Sequence, residues 1–123
     1  MQTALAYGSQ TSYTITGTTT TVANVAGFWR IDLSANAKAG SAVNGQVKMD
    51  ITDGSTPKAL YENFILAGAT NDTSENYHRF DVFLRSGDSV TITSGAGSYA
   101  TVTVRQIADV NGNLINPSGF SPQ

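Results

Sequence analysis

The sequence predicts an all-β chain: an antiparallel β-sandwich, in its most specific form a jelly roll of about eight strands with extended terminal arms. Three observations carry this. The stretch Ala26–Asn36 (AGFWRIDLSAN) alternates cleanly, with Trp29, Ile31, Leu33 and Ala35 on one side and Arg30, Asp32, Ser34 and Asn36 on the other, the period of a half-buried strand. Short β-branched segments recur between Gly, Asp, Asn and Pro turn signals at intervals of roughly 8 to 12 residues, the spacing of sandwiches. No stretch shows a convincing 3.6-residue period. Trp, Ile and Leu on one face need a second layer to cover them, hence a sandwich.

Taken in order, Thr3–Tyr7 leans apolar and Gly8-Ser9-Gln10 ends it, so residues 1–10 read as an arm or an edge strand. Thr11–Thr16 alternates with Tyr13 and Ile15 on one face, and Thr18–Val25 follows with β-branched residues throughout, which favours strand. The central strand ends at Asn36, and Ala37–Asn44 is a small-residue loop. Gln46–Thr52 alternates with Val47, Met49 and Ile51 inward. Asp53–Pro57 is a turn, because Asp and Gly tolerate φ > 0 and Pro cannot enter a central ladder. Leu60–Leu66 is a strand expected to bury Leu60, Phe64 and Leu66. Ala67–Asn76 is the longest polar loop. Tyr77–Leu84 places Phe80, Val82 and Leu84 inward and Phe83 outward. Arg85–Asp88 turns, Ser89–Thr93 buries Val90 and Ile92, Gly95–Ser98 turns again, and Tyr99–Ile107 buries Ala100, Val102 and Val104. The predicted core is Trp29, Ile31, Leu33, Val47, Met49, Ile51, Phe80, Val82, Val90, Ile92, Val102 and Val104. Residues 11–107 form the sandwich domain. Residues 108–123 lack alternation, contain Asn-Gly, Pro117 and Pro122, and read as an extended tail.

Composition narrows function. The 123 residues suit one domain with a real core. There is no cysteine, so neither disulfides nor a thiolate metal site arises. The beginning, MQTALAYGSQ, has neither a basic nor a long apolar region and is not read as a signal peptide. No apolar run approaches a membrane span. A net charge of −2 offers no basic face for a nucleic acid. Charged residues are 13%, about half the ~25% usual for soluble domains. A surface so poor in charge suits one largely taken up by neighbours.

Chemical motifs are few. His78 is the only histidine; it shares the face of Phe80 and Val82, where a structural role outweighs a catalytic one. Scattered carboxylates such as Asp50 and Asp81 read as solvated and spell no glycosidase pair. Asp109–Asn113 has a calcium-loop flavour, but Gly falls at position four and Phe120 at position twelve, where an EF-hand needs Gly at six and Glu at twelve; an Asn-Gly turn is the simpler reading. Asn71-Asp72-Thr73 matches a glycosylation sequon that arises readily by chance. Tyr61, Tyr77, Phe83 and Tyr99 offer stacking faces for a sugar, or packing and subunit contacts. No cofactor is expected.

The runs GFWRIDLSAN, ITDG and FLRSGDSVTITSGAGSYATVTVRQIADVNGNLINPSGF resemble small virion proteins of tailed bacteriophages. In these, one jelly-roll or β-sandwich domain decorates the capsid or sits on head or tail fibres. Leu84–Thr93 matches their strand–R-[SA]-G-[DE]-x-[VL]-x-[IV]-T–strand hairpin, and the resemblance spans about residues 26–120. It implies a non-enzymatic capsid decoration (cement) protein on the virion exterior, bound to the major capsid protein and assembled as a homotrimer. The alternative is a fibre or tail-tip domain that binds a host-surface carbohydrate; a glycan hydrolase ranks last. The apolar residues on the non-alternating ends, Leu5, Tyr7, Leu114, Ile115 and Phe120, are the candidate partner-binding residues.

Overall fold

In a computed structural model of the chain, residues 10–68 and 73–115 are described. They form eight strands: β1 (Thr11–Thr16), β2 (Thr19–Ala23), β3 (Gly27–Lys38), β4 (Gly45–Thr52), β5 (Pro57–Ile65), β6 (Thr73–Leu84), β7 (Ser89–Ser94) and β8 (Tyr99–Ala108). One sheet has the order β1-β8-β3-β6 and the other β2-β7-β4-β5. The pairs nest: β4 with β5, β3 with β6, β2 with β7 and β1 with β8, all antiparallel. One long hairpin has thus been rolled up so that β8 also lies against β3 and β7 against β4. This is the jelly roll the strand pattern predicts.

The inner faces are the predicted ones over most of the chain. Ile31, Leu33, Val47, Met49, Val90, Ile92, Val102 and Val104 are buried, while Trp29, Ile51, Phe80 and Val82 are half-buried against them. Each full burial contributes roughly 1.5–3 kcal/mol. Trp29 is therefore a core margin rather than a centre. It lies near the start of β3, and its indole N–H donates to the Val25 carbonyl at 2.7 Å.

Three expectations need correction. β3 continues to Lys38, burying Ala35 and Ala37, so the predicted loop there begins only after it. β6 begins at Thr73, inside the stretch expected to be loop. The face of β5 is reversed: Leu60, Phe64 and Leu66 are 36%, 46% and 70% exposed, and Tyr61 and Ile65 turn inward. Antiparallel partners share a face, and Met49 and Val47 of β4 stand opposite Tyr61 and Asn63. A bulge between Met49 and Asp50 leaves Leu60 without a partner in the ladder.

Strand direction sorts the connections. Gln10, residues 24–26, 53–56 and 85–88, and the segment 109–115 lie at one end, here the proximal end. Residues 17–18, 39–44, 66–68 and 95–98 lie at the distal end. The first and last described residues thus lie at the same end of the sandwich.

Candidate self-assembly surface

Of the predicted partner residues, Leu5, Tyr7 and Phe120 lie outside the described residues. Leu114 and Ile115 belong to a turn that folds back on β8. Asp109 organises it: one carboxylate oxygen accepts from the N–H groups of Asn111 (2.9 Å) and Asn113 (3.0 Å), and the other from the Asn113 side-chain amide (3.2 Å). These donors, the Asn113 N–H foremost, hold its carboxyl below the usual carboxylate range. The carboxylate caps the turn. Gly112 supplies the positive φ of +82°. The chain then pairs back, Leu114 opposite Ala108 and the Ile115 N–H donating to the Ile107 carbonyl at 2.8 Å. Ile115 is half-buried, whereas Leu114 is 59% exposed.

Beside this turn lies a cleft of about 520 Å³ between β3, β6 and the end of β8, walled chiefly by Phe28, Trp29, Val82, Phe83, Ile107 and Ala108. A bulge between Phe28 and Trp29 on the β8 side makes room for it, since Phe28 pairs with Ala108 but Trp29 with Gln106. Gly27, at φ +139°, lets β3 approach; a Cβ there would come within 2.5 Å of the Ala108 carbonyl oxygen. Phe28 and Phe83 are cross-strand partners with rings 4.7 Å apart and tilted at 50°, and each remains more than 40% exposed. Asp81, which lines the cleft, is paired with Arg30 at 3.1 Å. Sequence reasoning placed Phe83 correctly on the outer face but missed Phe28. The signal was present: Phe28 shares the parity of Arg30, Asp32 and Ser34, an aromatic on an otherwise polar face.

Farther along the same outer face runs a polar ladder. Arg79 donates to Asp32 at 2.7 Å and the Tyr77 hydroxyl to the same oxygen at 3.0 Å. The hydrogen bond to Asp32 is the chief cause of the raised Arg79 pKa. Asp81 and Asp50, read from the sequence as solvated, are ion-paired, Asp50 with Lys48 at 3.5 Å. Tyr77 and Tyr99 are exposed on opposite flanks of β3, across from Ser34 and Asn36. Phe83 is at the proximal end and Tyr61 faces inward, so the four aromatics make no common platform. His78 packs between Tyr61, at 4.7 Å, and Phe80, at 6.0 Å. Among the described residues, no group of three His, Asp or Glu side chains is arranged to hold a metal ion.

This surface offers an apolar concavity and exposed apolar groups beside Gln10 and the Asp109 turn. Contiguous exposed apolar area of this kind marks an interaction surface.

No protein-family model matches the chain, and no curated protein does. Solved structures do. A crystal structure described as a pentameric capsid protein isolated from metagenomic phage sequences is 31% identical, with a TM-score of 0.80 over 94% of this chain and 72% of that chain. A second structure with the same description, solved by iodide SAD phasing, is 31% identical at a TM-score of 0.81, over 94% and 73%. Eiger TNF from S. frugiperda, 9% identical at a TM-score of 0.50 over 94% of each chain, shares the fold alone.

Proposed function

The chain belongs to the family of these pentameric phage capsid proteins, and on that premise we propose that it is a non-enzymatic structural protein of a virion that assembles with copies of itself. The observation that carries this is 31% identity to a pentameric capsid protein along 94% of the chain at a TM-score of 0.80. The low charge and the exposed apolar end support it. In place of the trimer implied by the resemblance, the relative favours a ring of five.

The finer reading is a decoration protein seated on the outside of the shell, with the major capsid protein as partner. Leu5, Tyr7, Leu114, Ile115 and Phe120 supply the apolar anchors in this reading. Its support is that Gln10 and residues 109–115 lie together at the proximal end, so both anchor segments start from one place on each copy. With a single acid, Asp109, and no base in residues 108–123, binding should respond only weakly to salt.

Two measurements test the proposal. Sedimentation should give a particle of five times 12.9 kDa; three times that mass would restore the trimer, and a monomer both free and on the particle would end the self-assembly reading. Removing residues 116–123 spares the Asp109 turn, so melting should stay unchanged while occupancy on capsids falls. Full occupancy after the deletion would remove the C-terminal anchor from the proposal. Glycan or cell-surface binding by the isolated protein would move the reading to a fibre domain.

A further inference from the structure

A ring of five, like a ring of three, cannot be built from a patch that meets its own copy, because such a contact closes at two subunits. Each copy must therefore carry two unlike patches that fit one another. Among the described residues, beyond the polar-tipped Tyr77 and Tyr99 and Leu60 in the body of β5, the exposed large apolar side chains fall into two groups toward opposite ends of the sandwich. The proximal group comprises Val25, Val110, Leu114 and the Phe28–Phe83 pair, which forms the mouth of the concave cleft. The distal group is centred on the end of β5. Phe64 projects from the outer face of β5, and Leu66 follows just past its end, 46% and 70% exposed. This corner is braced, because the Ala67 N–H donates to the Asn44 side-chain oxygen at 2.7 Å and the Gly68 N–H to the Gly40 carbonyl at 3.1 Å. Val43, 42% exposed, comes from the same 39–44 connection.

We propose that the ring contact is heterologous, with the β5 corner of one copy, Phe64 and Leu66, seated in the Phe28–Phe83 cleft of the next. The inference rests on the ring reading of the preceding subsection and names its interface. A braced apolar knob and an apolar hollow on one chain meet the requirement for two unlike patches. Burying them together leaves no charge stranded, since Asp81 at the cleft is already held by Arg30. Neither group is used by the fold itself: the aromatic pair stands on the outer face of one sheet and the β5 corner on the outer face of the other.

The test uses two full-length variants, Phe28→Glu and Leu66→Glu, with sedimentation and native mass as readouts and circular dichroism as the folding control. Each alone should raise the concentration for half-assembly by roughly thirtyfold or more, the size of a hot-spot loss. Mixed in equal amounts, they should form a species of two copies and stop there: the Phe28→Glu chain keeps its knob, the Leu66→Glu chain keeps its cleft, and the remaining patches are spoiled. Leu66 lies outside every strand, so its variant decides the matter alone if Phe28→Glu does not fold. A pentameric wild type whose Leu66→Glu variant still forms the ring overturns this interface and leaves the ring reading standing. A mixture that yields no two-copy species where the wild type is fully assembled also overturns it. A wild type that stays monomeric overturns the ring reading and this inference with it.

Discussion

Asp53 shows how much a single side chain settles at the ends of this sandwich. Its carboxylate accepts from the N–H groups of Ser55 and Thr56, both at 2.9 Å, and from the Ser55 hydroxyl at 3.0 Å. With Thr56 the largest influence, its pKa is lowered to about 2. A carboxyl more acidic in the folded than in the unfolded chain stabilises the fold above its unfolded value. That contribution is lost as the pH falls through the folded value. Stability from this source should thus persist down to about pH 4 and vanish between about pH 4 and 2. Asp53→Asn keeps an acceptor but does not titrate, so its denaturation midpoint should fall less steeply than the wild type's across that window. Parallel profiles would show that the turn does not contribute. In the core the scale is larger. Leu33, fully buried beneath both sheets, should cost about 2–5 kcal/mol as Leu33→Ala in urea unfolding. A cost below 1 kcal/mol would mean that the site collapses around the missing atoms.

At the scale of elements, the two sheets are joined at the distal end by Ser98. Its hydroxyl oxygen accepts from the Lys38 N–H of β3 at 3.0 Å and from the Gln46 N–H of β4 at 3.2 Å, and the residue is fully buried. A residue from the β7–β8 connection thus satisfies donors on both sheets where the chain crosses from one to the other. Ser98→Ala strands those donors away from water and should lower stability by roughly 1–3 kcal/mol, whereas Ser98→Thr should retain part of the bond if the extra methyl is tolerated. Thermal melts of the two variants side by side check this. Nothing in Gly95–Ser98 as a sequence distinguishes this serine from an ordinary turn residue, because its partners lie 60 and 52 positions away.

At the scale of the whole molecule, the nested pairing joins the first and last of the eight strands: Thr11 of β1 pairs with Val104 of β8. The closure brings Gln10, the Asp109 turn and the Phe28–Phe83 cleft to one end of the sandwich. If the molecule works as a ring, its stability is shared among copies. Its melting temperature should then rise with protein concentration over the assembly range, as binding to the folded state demands. A melting temperature independent of concentration, measured across a hundredfold dilution spanning that range, would place all the stability in the single chain.

Sequence alone determined the fold class, most strand positions and two-thirds of the predicted core, because alternation at a period of two is written locally and survives any arrangement of neighbours. It also marked Leu114 and Ile115 as apolar groups beyond the last strand. The tertiary structure alone decided which face of β5 is buried. Leu60, Phe64 and Leu66 are the more apolar set, yet the pairing of Met49 with Tyr61 turns them out. It alone brought Phe28 beside Phe83 across 55 residues and set the Asp109 turn next to both, since these contacts depend on strand order and on the bulge at Phe28–Trp29. Periodicity states that a strand has two faces; only the strand beside it and the layer above it decide which of them meets the core and which is left for a partner.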